Sequence, residues 1–163
     1  MASLDTNVLV RLLVKDDERQ AAQARKLFQA ESDRGETLFV PITAVLELEW
    51  VLRSVYEMPK SAILGAFVAL LETRELVFQS EPAIERALEH FRKGSAGFAD
   101  CVHLGICGAD SELPLVTFDR KAARMEGAHL VGAAIGQVRF WHFADTAHRT
   151  SDRPVRAQGG PKP

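Results

Sequence analysis

The sequence lacks any apolar run long enough to cross a bilayer, which argues against a membrane-spanning helix. We also expect no signal peptide, because Asp5 and Arg11 interrupt the segment that would form its apolar core. Cysteine is scarce: Cys101 and Cys107 fall in one predicted helix, where about 9 Å of helix rise separates them and prevents a disulfide. We therefore expect reduced thiols in a cytoplasmic protein.

Several motifs are missing as well. The chain has no internal repeat, no glycine-rich phosphate-binding loop and no recognisable nucleophile motif. These absences argue against a phosphatase-like α/β enzyme that forms a covalent intermediate.

A strong positive charge is also absent, since the net charge is −2. Residues 133–163 hold five basic and two acidic residues, a net of +3, which leaves −5 for residues 1–132. This acidic balance argues against broad, nonspecific affinity of residues 1–132 for nucleic acid. Phosphate chemistry there would require metal ions or a local basic patch.

The sequence does contain enough apolar residues for one compact domain, since 47% of its 163 residues are hydrophobic. Predicted strands alternate with predicted helices, which indicates an α/β fold whose parallel sheet is covered on both faces. The predicted strands are 1–4, 37–42, 75–79, 114–119 and 128–131, and the predicted helices are 7–14, 16–32, 43–56, 60–73, 80–94 and 98–110. Thr43 and Ser80 are predicted helix caps, and Trp50 and Phe67 are interpreted as core residues.

The C-terminal segment differs in composition. Residues 1–132 are predicted to form the folded domain and residues 133–163 a C-terminal extension. Helical periodicity ends after Phe143, and glycine, proline and basic residues follow, so we expect disorder from about residue 144. Residues 138–143, "VRFWHF", can pack on the body or contact a partner.

Acidic residues fall where parallel strands are predicted to end. Asp5 and Asp119 end the first and fourth strands, Glu47 lies about one turn into the helix after the second, and Asp100 begins a helix after a glycine-containing loop. Ligands of parallel α/β sheets gather at this edge. Carboxylates that converge there need a cation, and oxygen ligands suit Mg²⁺ or Mn²⁺. The pattern favours metal-assisted phosphodiester hydrolysis.

Each acid also has a structural interpretation. Taken singly, Asp5 and Asp100 are more often helix caps, and Asp119 is an ordinary turn residue. Glu47 and Glu49 lie about 200° apart around their helix, so only one can face the site, and periodicity does not choose between them.

Four motifs resemble those of the PIN domain, in particular of the VapC-type toxins of bacterial toxin–antitoxin pairs. They are "LDTNVLVRLL", "VPITAVLELEWVLR", "FADCVHLG" and "LVTFDRKAAR", in the family's order over residues 2 to about 131. The resemblance implies a three-layer α/β/α fold with a central parallel sheet of four or five strands. It also implies an Mg²⁺- or Mn²⁺-dependent ribonuclease whose acids are Asp5, Glu47, Asp100 and Asp119.

This resemblance leads to a hypothesis for each residue. Asp5, Asp100 and Asp119 would hold the metal, and Glu47 would complete the site or orient the attacking water. Thr6, Asn7 and Thr117 would hydrogen-bond these carboxylates. Hydrolysis by metal-activated water leaves a 5′-phosphate and a 3′-hydroxyl.

The expected partners are an RNA substrate, a cognate antitoxin protein and a second copy of the chain in a homodimer. Arg120 and Lys121, in "DRKAAR" beside Asp119, are the candidate RNA-binding residues because of their location. Two alternatives stay open: a PIN nuclease of RNA processing or DNA metabolism without a toxin role, and a non-catalytic PIN-like binding module.

Overall fold

The computed structural model describes residues 2–14 and 16–133. Residues Met1–Val131 form one compact unit, and the second unit, Gly132–Pro163, is described only at its first two residues. The disorder predicted from residue 144 and the contacts predicted for residues 138–143 lie outside the described residues. Within the described residues, every helix is too short or too polar to span a bilayer.

Strands and helices alternate along the chain, as the sequence predicts. The described residues form five strands, six α-helices and one short 3₁₀ helix. In chain order these are β1 (Ala2–Ser3), α1 (Thr6–Leu13), α2 (Glu18–Arg34), β2 (Leu38–Val40), α3 (Ile42–Ser54), α4 (Lys60–Leu71), β3 (Leu76–Phe78), α5 (Glu81–Lys93), α6 (Phe98–Ala109), β4 (Leu115–Thr117), the 3₁₀ helix (Ala122–Arg124) and β5 (Ala128–Leu130).

Every strand pairing within the described residues is parallel. Hydrogen bonds join β1, β2 and β3 in that order, and β4 pairs with β5 in a second group. The architecture is α/β with three layers, which confirms the predicted fold class. The predicted single sheet of four or five strands differs from the described residues, whose hydrogen-bonded strands form groups of three and two. Because neighbouring strands run in the same direction, the residues that follow β1 and β2 meet at one edge of the sheet.

The hydrophobic core lies between this sheet and the helices. Leu9, Leu38 and Leu48, from α1, β2 and α3, are fully buried. Phe67 on α4 is buried as predicted, and so is Ile63 one turn before it. Phe67 stacks on the ring of Phe98 at the start of α6, with ring centroids 5.1 Å apart.

Helices α5 and α6 approach each other closely at Gly105. A Cβ atom placed on Gly105 would lie 2.4 Å from the backbone oxygen of Ala83. Only a residue without a side chain fits this position, so Gly105 sets the distance between the two helices. The same contact positions α6, which carries Asp100.

Two local predictions are wrong. Thr43 does not cap α3: the helix begins at Ile42, whose amide donates to Gln79 Oε1 at 3.0 Å, so a side chain following β3 supplies the cap. Trp50 does not lie in the core, since 53% of it is exposed on α3. Ser80 occupies the cap position of α5, but its side chain makes no capping hydrogen bond.

Candidate active site

Asp5 lies directly after β1, at the start of α1. The amide of Leu4 donates to Phe39 O at 2.8 Å, which continues the β1–β2 pairing up to Asp5. Asp5 Oδ1 accepts from the amide of Thr6 at 2.7 Å, and Oδ2 accepts from Asn7 Nδ2 at 3.2 Å. The exposed carboxylate therefore caps α1 and also lies at the edge where ligands of parallel sheets gather.

Glu47 lies beside Asp5 because Thr6 contacts both residues. The hydroxyl of Thr6 donates to Glu47 Oε2 at 2.7 Å, while its amide donates to Asp5. Thr6 is 3% exposed, so the core holds this link in place. Asp5 and Thr6 thus form one hydrogen-bonded group with Glu47, which lies 41 residues after Thr6.

Glu49 points elsewhere. It is 5% exposed and accepts from Arg53 Nε at 2.8 Å within α3. The two glutamates of α3 are therefore separated as their spacing requires, and Glu47 is the one next to Asp5. This arrangement favours Glu47 over Glu49 as the candidate acid.

Asp100 lies in the first turn of α6 and is half-buried. A Cβ atom on Gly97 would lie 3.1 Å from Asp100 Oδ2, so this carboxylate folds back over the N-terminus of its helix. The amides of a helix N-terminus favour a negative charge there. Asp100 is thus a helix-end carboxylate with limited exposure.

Asp119 follows β4 and is exposed. Its Oδ1 accepts from the amides of Ala122, at 3.0 Å, and of Lys121. These two bonds lower the pKa of Asp119. Because the pKa is lowered, the two bonds stabilise the turn at pH values above the ordinary carboxyl pKa. This stabilisation is lost as the pH falls through the lowered pKa of Asp119. Thr117 Oγ1 accepts from the amide of Asp119 at 3.0 Å, whereas we predicted a bond to its carboxylate.

The four acidic residues can be compared with the ligands that a divalent ion requires. The donors are carboxylate oxygens, the type that Mg²⁺ and Mn²⁺ prefer, and Thr6 brings Asp5 and Glu47 together. Throughout residues 2–14 and 16–133, however, no three His, Cys, Asp or Glu side chains form a group that could hold an ion. Asp5, Glu47 and Asp119 each accept hydrogen bonds from nearby protein groups instead. The donor chemistry suits such an ion, but among the described residues only Asp5 and Glu47 are joined, through Thr6, and Asp100 and Asp119 do not complete a ligand group with them.

The basic residues near the candidate site differ in their exposure and in their hydrogen bonds to other side chains. Arg120 and Lys121 are exposed in the turn after Asp119, where their side chains are available to a ligand. Arg11 is engaged, since it contacts Asp16 Oδ1 at 2.6 Å, Gln20 Oε1 at 2.7 Å and the hydroxyl of Tyr56 at 3.3 Å. His103 is exposed on α6.

Phe118 is a surface residue that the sequence analysis missed. It lies between Thr117 and Asp119, and 82% of it is exposed. Phe118 follows β4 directly and lies two residues after Val116, so the alternation of an extended chain predicts the same side for both, and Val116 is also exposed. An exposed aromatic ring therefore neighbours one of the candidate acids.

Parallel strands followed by carboxylates define the class: an α/β protein in which Thr6 joins Asp5 and Glu47 beside the carboxyl edge of the sheet. The family model of the PIN domain matches residues 2–128, so the chain belongs to the PIN domain family. It is also similar to the VapC ribonuclease of Aquifex aeolicus (strain VF5). The two are 28% identical over 102 residues, which cover 63% of this chain and 75% of the relative.

Proposed function

We propose that this protein is a metal-dependent endoribonuclease, the toxin component of a VapBC-type toxin–antitoxin system in the cytoplasm. The observation that carries the proposal is the link from Thr6 to both Asp5, directly after β1, and Glu47, in the helix that follows β2. Membership of the PIN domain family and similarity to a VapC ribonuclease support it.

In this proposal Asp5 and Asp100 would be the main ligands of Mg²⁺ or Mn²⁺, and Asp119 would contribute directly or through water. The bound ion would lower the pKa of a water nucleophile and stabilise the leaving oxygen of the phosphodiester. Glu47 orients the attacking water or completes the site, and Thr6 holds Glu47 in place. Asn7 orients Asp5, and Thr117 holds the backbone of Asp119.

Replacing Asp5 by Asn tests the proposal. Asn keeps the shape of the side chain and can still cap α1, but it removes the negative charge. We expect Asp5→Asn to lower the rate of RNA cleavage at least roughly 100-fold, since one group that stabilises developing charge is commonly worth that much. Cleavage of synthetic RNA is measured with and without Mg²⁺, and the products are mapped to 5′-phosphate and 3′-hydroxyl ends.

Asp17→Asn is the matched control, because Asp17 caps α2 by accepting from the amide of Gln20 at 2.9 Å. It carries the same change at the same kind of position, so we expect it to cleave RNA at the rate of the wild type. Equal rates for Asp5→Asn and wild type would reject the site. Products with 2′,3′-cyclic phosphate ends would reject hydrolysis by water.

The toxin role requires a separate measurement. Expression of the wild type should arrest growth, Asp5→Asn should not, and co-expression of the antitoxin from the neighbouring gene should restore growth. Cleavage without growth arrest would instead assign the protein to RNA processing. The proposed homodimer is tested separately by light scattering.

A further inference from the structure

A broad groove lies between the end of α5 and the segment that follows Asp119. Its volume is about 900 Å³. One wall is the last two turns of α5 with the loop of residues 94–96, and the other is residues 121–126. The lining residues that matter here are Arg86, Glu89, Lys93, Lys121, Arg124 and Glu126.

The groove is locally basic on an otherwise acidic body. Four permanently cationic side chains, two from each wall, face two carboxylates, whereas residues 1–132 as a whole carry −5. Lys93 contacts Glu89 at 2.5 Å, but 64% of its side chain remains exposed. Arg124 is exposed as well. This is the local basic patch that an acidic protein needs in order to hold a polyanion.

Both walls lead directly to candidate acids. The loop of residues 94–96 continues through Gly97, which lies against the carboxylate of Asp100. On the opposite wall, the amide of Lys121 donates to Asp119. Cys101 Sγ lies 3.6 Å from Met125 Sδ, so the start of α6 and the second wall are in contact. A polyanionic chain bound in the groove would therefore lie next to the segments that carry Asp100 and Asp119.

We propose that this groove binds the phosphate backbone of the RNA on one side of the bond that is cut, with Lys93 and Arg124 as backbone contacts from opposite walls. The proposal rests on the proposed function. Cations on both walls suit a continuous polyanion, and phosphate contacts of this type position a strand without reading its sequence. An acidic protein partner would bind the same basic side chains. The position of Asp100 and Asp119 next to the groove favours RNA, because only RNA has a phosphodiester bond for these acids to act on.

The test compares two double variants that lose the same charge. Lys93→Gln with Arg124→Gln alters the groove, whereas Arg25→Gln with Lys26→Gln alters exposed residues of α2 outside it. Binding of a fluorescein-labelled 12-nucleotide single-stranded RNA is measured by fluorescence anisotropy in EDTA, so that no cleavage occurs. Thermal unfolding of both variants checks that they are folded.

We expect the groove variant to bind the RNA roughly tenfold more weakly than the control variant near 0.1 M salt. The slope of log affinity against log salt should fall by about 1.4, since each single-strand phosphate contact contributes about 0.7. Glu126→Gln should change affinity in the opposite direction, because it removes a negative charge from the groove. Equal affinity of the groove and control variants overturns the proposal and leaves the groove to an acidic protein partner.

The RNA-binding comparison can be interpreted independently of the cleavage experiment. If wild type cleaves RNA and the groove variant binds and cleaves as the control does, the groove proposal fails and the proposed function stands. If wild type cleaves no RNA, the proposed function fails, and the EDTA binding data still decide whether the groove holds an RNA strand. In an active enzyme, the groove variant should raise KM and leave kcat within about twofold, since it removes uniform binding.

Discussion

Thr6 is the residue that organises the candidate site. Its amide and its hydroxyl donate to two different carboxylates, those of Asp5 and Glu47, each at 2.7 Å. Because Thr6 is buried, packing in the core fixes the positions of both acids relative to β1 and α3. We regard Thr6 as a positioning residue, one that acts through the acids and not on the substrate itself.

Thr6→Val tests this role, because Val has nearly the same shape but no hydroxyl. Glu47 loses its donor while the backbone bond to Asp5 remains, so we expect a loss of roughly 10- to 100-fold in metal affinity or cleavage rate. Mn²⁺ affinity is measured by calorimetric titration, and cleavage over a range of Mg²⁺ concentrations. Thr6→Ser restores the donor and should recover most of both. Unchanged Mn²⁺ affinity in Thr6→Val would contradict the positioning role.

At the residue scale, the sequence predicts some placements and not others. Asp5 could be placed because an apolar strand ends immediately before it. The choice of Glu47 over Glu49 could not come from periodicity, since the bond that distinguishes them comes from Thr6, 41 residues away. Trp50 was misplaced because its apolar character predicts burial, although no local pattern shows which face of α3 is covered.

At the scale of elements, glycine determines how closely α5 and α6 pack. The backbone of Ala83 occupies the space where a Gly105 side chain would be. Backbone cannot give way as a flexible side chain can, so even a methyl group must push the two helices apart. The position of α6, and with it that of Asp100, depends on this contact.

Gly105→Ala should therefore destabilise the protein although alanine favours helices. We expect a loss of roughly 1–3 kcal/mol, the usual cost of overpacking, together with weaker cleavage because Asp100 moves. Gly65→Ala in α4 is the matched control: nothing lies within 4 Å of its new methyl group, so we expect a gain of about 0.5–1 kcal/mol. Urea unfolding measures both values. Equal effects of the two substitutions would contradict the close contact.

Helices were easier to predict than strands or caps. The apolar spacing of α4 and α6 predicts their starts at residues 60 and 98 because each helix forms its own hydrogen bonds. The strands are shorter than predicted, for example Leu115–Thr117 in place of 114–119, since partners elsewhere in the chain decide where pairing ends. The cap of α3 comes from Gln79, which lies 37 residues away and leaves no local signal.

At the scale of the whole molecule, the described core lies within the segment that resembles the PIN domain. Its buried apolar residues run from Leu4 to Met125, and the family match covers residues 2–128. The three-layer fold could be predicted because strands and helices alternate throughout this segment. The side-chain arrangement of the four acids could not, because Asp5, Glu47 and Asp119 accept hydrogen bonds from protein groups, and the donor to Glu47 lies 41 residues away.

These boundaries lead to a prediction about where the chain can be shortened. A chain that ends at residue 133 keeps every described core residue, so we expect its thermal unfolding midpoint to lie within about 2 °C of that of the full chain. A chain that ends at residue 126 loses β5, whose Ala128 packs against the core and pairs with Leu115 of β4. We expect this second chain to unfold at a clearly lower temperature, as measured by circular dichroism.

The same pair of truncations separates stability from charge. Ending the chain at residue 133 removes a net charge of +3 without removing any described core residue. RNA affinity should therefore fall at low salt and approach that of the full chain as salt rises, because the lost attraction is electrostatic and screened. A fall in the unfolding midpoint as large as that caused by ending at residue 126 would contradict a folded domain that closes near residue 132.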